Sequence, residues 1–161
     1  MTLEEYNNAV DLHADNLYRF ILKNCRNEEL SRDVVQDCFE KLWVKLDSVD
    51  GDKAKSYLFT SGYHTMLDIL KKENRMGEWN NKTEAEESYD EQYNDLSAVL
   101  EEALQRLPEI QRSVILLRDY EGYSYEEIGE ITGLNESQVK VYIYRGRINL
   151  KSYLVKMENI I

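Results

Sequence analysis

Polar and basic side chains recur on one face of a helix predicted near the end of the sequence. Lys140, Tyr144, Arg147 and Lys151 follow a spacing of three or four residues, which places them on one helical face. An α-helix fits the major groove of DNA, where residues of its first turns contact base edges. Basic side chains further along such a helix contact phosphates, which position it without specifying sequence. The pattern therefore predicts a DNA-binding helix.

Residues beside this stripe extend the candidate interface, and we expect Arg147 and Lys151 to contact phosphates rather than bases. The alternative interpretation is a solvated basic face on an ordinary core helix. The candidates for DNA contact are Ser137, Gln138, Lys140, Val141, Tyr144, Arg145, Arg147 and Lys151.

The residues before this helix complete a helix-turn-helix pattern. Ser124 and Glu127 have the spacing of a capping box, and Asn135 with Gln138 opens the final helix in a similar way. The pair Thr132-Gly133 supplies the turn between the two helices. The predicted buried stripe of the final helix is Val139, Ile143, Gly146, Leu150 and Leu154. These features favour DNA binding over a merely solvated basic face.

The net charge of −11 argues against nucleic-acid binding by bulk electrostatics. The charge is unevenly distributed, however: residues 138–161 hold five basic and one acidic side chain, whereas residues 76–104 hold one and nine. Screening confines electrostatic attraction to about 10 Å at ordinary salt, so the local charge of the helix matters more than the total.

Helical periodicity also dominates the rest of the chain. Apolar residues predict helices near 3–25, 30–46, 54–73, 96–107 and 108–119, with a loop at 47–53 and Pro108 at the first helical position. Acidic and polar residues between 77 and 95 lack the apolar surface that folding needs. We therefore predict an all-α protein of two small helical domains, residues 1–75 and 96–161, joined by a flexible acidic linker at 76–95. Cys25 and Cys38 are expected to be small core residues.

Two ordered blocks resemble a known family. The segments 33–43 and 55–72 resemble region 2 of extracytoplasmic-function (ECF) sigma factors, and 100–108, 116–118 and 122–128 resemble region 4. This resemblance implies a subunit that joins core RNA polymerase, recognises −10 and −35 promoter elements and opens the duplex. Gln36 and Asp37 match polar positions on the helix that docks on the polymerase clamp. The expected polymerase-binding face is Asp33, Gln36, Asp37 and Glu40.

The resemblance also implies that the loop at 47–53 and the third helix capture an unstacked base of the −10 element. Tyr57 stands where tryptophan is common in the family, and His64 stands where asparagine is common. Val141 and Tyr142 replace the frequent serine and arginine, so the family's base preferences do not transfer. The candidates along the DNA strand are Lys53, Lys55, Tyr57, Thr60, Tyr63, His64, Lys71, Lys72 and Arg75.

Catalysis by this chain is not expected. His13 and His64 are far apart in sequence, no Cys/His spacing suggests a metal site, and no phosphate-binding loop is present, so we expect no cofactor and no small-molecule substrate. No apolar run predicts membrane insertion, and the expected location is the cytoplasm. The resemblance implies an anti-sigma factor as a further partner, a protein that is often membrane-bound.

Two other classes of protein were weighed. One is a stand-alone helix-turn-helix transcription regulator with an N-terminal sensor or dimerisation module, which has no need of the pattern at 33–43. The other is a helical interaction protein that has lost DNA binding, which the basic residues Lys140 and Arg145 argue against.

Overall fold

The computed structural model describes residues 1–76 and 95–160, except the side chains of residues 75, 76, 95 and 158–160. Within these ranges the chain forms seven α-helices and no strand. It divides into two compact units, one built mainly from the first three helices and the other mainly from the last four. The all-α prediction is confirmed. The predicted acidic linker falls almost entirely outside the described residues.

The first unit contains α1 (Leu3–Cys25), α2 (Glu28–Val44) and α3 (Ala54–Met76). A capping box begins α1, since the amide of Glu5 donates to Thr2 Oγ1 at 3.0 Å and the amide of Thr2 donates to Glu5 Oε1 at 2.8 Å. The first helix ends at Arg26, which adopts the left-handed conformation with φ of 57°. Both ends of α1 are therefore set by local residues.

The three helices of this unit enclose one apolar core. Phe20 of α1 and Phe59 of α3 are fully buried, with ring centroids 5.6 Å apart. Cys38 of α2 is also fully buried, and desolvation raises the pKa of its thiol to about 11. Its predicted place in the core is confirmed, whereas Cys25 is only half-buried. Leu3, the first residue of α1, is 56% exposed.

The connection between α2 and α3 lies where the sequence predicted a loop. It contains two short 3-10 turns, Leu46–Ser48 and Gly51–Lys53, so Leu46 lies outside the second helix to which its periodicity assigned it. A Cβ added at Gly51 would lie 2.7 Å from Glu5 Oε2, and the connection therefore passes close to the start of α1.

The second unit contains α4 (Asp95–Arg106), α5 (Glu109–Ile115), α6 (Tyr125–Thr132) and α7 (Glu136–Ile160). A π-helical turn at Leu116–Tyr120 extends α5, a feature that periodicity did not predict. Pro108 precedes α5 as its N-cap residue, one position before the predicted place. The ring suits both places because neither requires a backbone N–H.

Glycines and caps define the ends of α6 as predicted. The amide of Ser124 donates to Glu127 Oε1 at 2.8 Å, and the amide of Glu127 donates to Ser124 Oγ at 3.1 Å. Gly133 follows the helix with φ of 84°, a left-handed conformation that glycine adopts without a steric penalty. The helix therefore stops abruptly, and the chain turns into α7.

Two further glycines allow close backbone approach inside the second unit. A Cβ at Gly129 would lie 2.7 Å from the carbonyl oxygen of Leu134, immediately before α7. At Gly146 of α7, a Cβ would lie 2.6 Å from Ile115 Cδ1, so the glycine permits α7 to pack closely on α5. Beside this contact, Asn149 Nδ2 donates to Gln111 Oε1 at 3.0 Å.

These two glycines should respond differently to alanine. Gly129→Ala places a methyl against a backbone carbonyl that cannot rotate away, and we expect it to lower the free energy of unfolding by about 1 to 3 kcal/mol. Gly146→Ala instead meets side-chain atoms, Ile115 Cδ1 at 2.6 Å and Gln111 Cβ at 3.3 Å. Both variants gain about 0.5 to 1 kcal/mol of helix propensity, but the flexible isoleucine tip can shift where a backbone carbonyl cannot, so the loss at Gly146 should be smaller. Urea unfolding of the two variants measures the difference; equal losses would contradict the assignment.

Candidate nucleic-acid and polymerase interfaces

The long helix α7 presents the predicted DNA-binding face to solvent. Val139 and Ile143 are buried, Gly146 is buried beside them, and Leu150 and Leu154 are half-buried, which confirms the direction of the apolar stripe. All eight candidate residues are exposed: Ser137, Gln138, Lys140, Val141, Tyr144, Arg145, Arg147 and Lys151. Packing of one side of the helix therefore orients the other side outward.

Lys140 is held near the start of this face by two neighbours. Its Nζ lies 3.4 Å from Glu136 Oε2, one helical turn earlier, and 5.6 Å from the ring centroid of Tyr125 on α6. The guanidinium of Arg118 lies 4.5 Å from the centroid of the same ring. Two cations therefore share one aromatic ring, an arrangement that cation-π attraction stabilises. Arg118 and Tyr125 had not been identified as candidates from the sequence.

Arg147 makes a bidentate ion pair across the second unit. Its Nη2 lies 2.5 Å from Asp119 Oδ1, and its Nε donates to Asp119 Oδ2 at 3.2 Å. The hydrogen bonds that Arg147 donates to Asp119 raise the pKa of the guanidinium above its usual value. Because both side chains are partly exposed, we expect about 1 kcal/mol or less of stability from the pair. To contact a phosphate, Arg147 must therefore either use the N–H groups that Asp119 does not accept or leave Asp119.

Gln138 has a structural role that limits its use against base edges. Its Oε1 accepts from the amide of Asn135 at 2.9 Å, while its own amide donates to Asn135 Oδ1 at 2.8 Å. This reciprocal cap begins α7, as predicted from the spacing. The cap uses the side-chain oxygens of Asn135 and Gln138 as acceptors. The side-chain NH₂ group of Gln138 is then the group that can still face DNA.

The predicted polymerase-docking face lies on the surface of α2. Asp33, Gln36 and Glu40 are exposed and Asp37 is half-buried, with an ion pair of 3.0 Å between Asp37 Oδ2 and Lys41 Nζ. Gln36 Nε2 donates to Glu40 Oε2 at 3.2 Å, one turn further along.

Large apolar side chains adjoin this polar face. Trp43 is 51% exposed and Val44 is 80% exposed. The ring of Trp43 packs on its inner side against Tyr6, with centroids 5.1 Å apart. Exposed apolar groups beside acidic ones are typical of a surface that binds another protein.

Part of the predicted DNA-strand surface lies on one face of α3. Tyr57, Thr60, His64 and Lys71 follow helical spacing, and the last two are exposed while the first two are half-buried. Lys53 and Lys72 are exposed as well, and the side chain of Arg75 lies outside the described residues. The predicted DNA-strand surface therefore offers a tyrosine ring, a hydroxyl, an imidazole and basic groups.

Two of the predicted strand residues do not belong to this face. Tyr63 is only 2% exposed, so it is a core residue of the first unit, because its position turns its ring towards the helix bundle. Lys55 is half-buried on the opposite side of α3. Burial lowers the pKa of His13 on α1, and the nearby charge of Lys55 lowers it further. Neither residue shares the face of α3 that carries Tyr57 and His64, and contact of either with the DNA strand stays a prediction.

Comparison with known proteins matches both units to one family. The sigma-70 region 2 model matches residues 9–76, and the sigma-70 region 4 model matches residues 97–150. The chain is 30% identical to the ECF RNA polymerase sigma factor SigE of Mycolicibacterium smegmatis, over 96% of this chain and 63% of that protein. It therefore spans less than two thirds of that relative. It is 29% identical to the RNA polymerase sigma factor SigV of Bacillus subtilis, over 89% of this chain and 87% of that one.

Solved structures agree with these matches. The sigma factor RpoE in complex with the anti-sigma factor NepR from Bartonella quintana superposes with a TM-score of 0.81 and 27% identity, covering 94% of this chain and 98% of that one. CnrH in complex with the cytosolic domain of CnrY gives a TM-score of 0.71 and 26% identity, covering 94% and 88%. The fold is thus that of a two-region helical sigma factor. The chain belongs to the sigma-70 family of RNA polymerase sigma factors and is of the ECF type.

The described residues hold neither a membrane-spanning helix nor a cluster of metal-ligating side chains. None of their helices is long and apolar enough to cross a membrane. They also contain no group of three or more histidine, cysteine, aspartate or glutamate residues placed to hold a metal ion.

The two roles open to Gln138 can be separated by substitution. Gln138→Ala removes the acceptor of the Asn135 amide, and we expect a loss of about 0.5 to 1 kcal/mol in the free energy of unfolding. Gln138→Glu restores that acceptor, because glutamate is the usual partner in a capping box, so stability should return to the wild-type value. Urea unfolding gives both values. A glutamate variant as unstable as the alanine variant would contradict the capping role.

Proposed function

We propose that this chain binds core RNA polymerase and directs initiation at promoters with −10 and −35 elements. The α2 face holds the polymerase, the α3 face contacts the melted −10 strand, and α7 enters the major groove of the −35 duplex. The observation that supports this best is the presence of a region 2 match followed by a region 4 match in one chain. Each match falls on a unit whose candidate face is exposed.

The α2 face suits a basic partner surface. Three carboxylates and one amide lie within two helical turns, and the exposed Val44 shares their side of the helix. Charged groups of this kind raise association rates and fix orientation, while the adjoining apolar groups supply buried area. This combination supports docking on polymerase by a small, defined patch.

The α3 face suits an unstacked strand. Flipping a base costs a few kcal/mol, which stacking and hydrogen bonds to the base can recover. Tyr57 offers a ring, His64 offers an imidazole, and Lys71 offers charge for the backbone. Because Tyr63 and Lys55 lie elsewhere, we assign strand contact to the smaller set Lys53, Tyr57, Thr60, His64, Lys71, Lys72 and Arg75.

We further propose an anti-sigma factor as a regulatory partner and the cytoplasm as the site of action. The RpoE structure holds a sigma factor in complex with the anti-sigma factor NepR, and the CnrH structure holds CnrH in complex with the cytosolic domain of CnrY. A membrane-bound form of that partner belongs to the same proposal. A stand-alone transcription regulator is not favoured, since it leaves the region 2 match at residues 9–76 without a role.

The α2 face can be tested by binding to core polymerase. Gln36→Ala with Asp37→Ala should weaken association by about tenfold while the fold is retained, because the hydrogen-bonding groups of the face are lost. Competition with a labelled sigma factor for core polymerase measures the change. The matched control is Asn8→Ala with Asp11→Ala, which removes an exposed amide and an exposed carboxylate from α1. Equal affinity for both double variants would argue against this docking face.

The α7 face can be tested by transcription. Lys140→Ala with Arg145→Ala should abolish specific run-off starts on genomic fragments, because each lost base contact costs about 1 to 3 kcal/mol. Arg106→Ala with Lys156→Ala removes the same charge from exposed positions outside the first turns of α7 and should leave most starts intact. Tight duplex binding without core polymerase would instead favour the stand-alone regulator.

A further inference from the structure

An apolar strip runs along the centre of the exposed face of α7. Val141 is 42% exposed, Tyr144 is 67% exposed and Ile148 is 51% exposed. Their spacing of three and four residues stacks them on one side of the helix, opposite the buried Val139 and Ile143. The described residues of the second unit leave this strip uncovered, within the very surface assigned to DNA.

Basic groups border the strip on both sides. At 100° per residue, Arg145 lies on one flank, and Lys140 with Lys151 lies on the other. A helix of about 10 to 12 Å diameter in a major groove about 12 Å wide brings both flanks close to phosphates. The centre of the helix then faces the base edges. This charge pattern complements a nucleic-acid duplex.

The apolar group that the major groove offers is the C5 methyl of thymine. We propose that Val141 and Tyr144 contact thymine methyl groups, so that this chain selects a −35 element partly by thymine at the positions facing the second turn of α7. The inference rests on the proposed function. It explains why valine stands in the first turns of α7, where a polar side chain would be needed to hydrogen-bond a base.

Uracil provides the test, because it pairs as thymine does and lacks only the methyl group. Full-length chain with core polymerase first selects active fragments from a pool randomised in the upstream element. Each thymine of that element is then replaced singly by uracil, and holoenzyme affinity is measured. Loss of a buried methyl should weaken binding about 4-fold at the contacted positions.

Variants assign the effect to its side chains. At the thymine that Val141 contacts, Val141→Ala should bind the thymine and uracil forms equally. Tyr144→Ala should do the same at the thymine that Tyr144 contacts. Tyr144→Phe should retain the discrimination, since the ring is kept. Lys151→Ala, the control, should weaken both forms by the same factor because phosphates are common to them.

The outcomes separate this inference from the proposed function. Promoter-specific starts without any uracil effect, or selected elements that lack thymine, would overturn the methyl contacts and leave the sigma-factor function in place. A uracil effect that survives both alanine variants would assign the methyl contact to other residues and overturn the inference. Failure to select any core-dependent start would overturn both.

Discussion

The close contact between α7 and α5 determines which residues the second unit can offer to DNA. Gly146 has no side chain, so Ile115 fills the space where a Cβ would stand, 2.6 Å from its Cδ1. Together with buried Val139 and Ile143, this contact fixes the rotation of α7 about its axis. A rotation by one residue would turn about 100° of the surface and bury the groups that now face outward. The chemistry of the exposed face is therefore set by packing on the hidden one.

The turn before α7 fixes its direction in the same way. Gly129 and Gly133 have different tasks: the first admits the Leu134 carbonyl, and the second adopts a positive φ. The reciprocal cap between Asn135 and Gln138 then satisfies amides at the start of α7. Glycines and caps therefore act indirectly, by holding the N-terminal turns of α7, to which the proposed function assigns base contact.

Sequence periodicity predicted the helices and the exposed faces of α2 and α7, because burial repeats every three or four residues along each helix. It failed where contacts join distant positions or where the helical repeat changes. The Arg147–Asp119 pair spans 28 residues, and its aspartate lies within the π-helical turn after α5. Tyr63 and Lys55 were chosen for their aromatic and basic character, and their angular positions on α3 separate them from Tyr57 and His64. Composition suggests chemistry, but the helical angle decides whether a side chain can reach a partner.

Under the proposed function, the distribution of charge explains why promoter binding would need both units. Residues 138–161 hold a local excess of four positive charges in a chain with a net charge of −11, so attraction to DNA is confined to about 10 Å around α7. A single helix with few phosphate contacts gives weak, salt-sensitive binding. When polymerase holds both units, contact by one raises the effective concentration of the other, and affinity rises without any new contact. A free chain of this composition would therefore remain largely off DNA, and specificity would arise in the assembled holoenzyme.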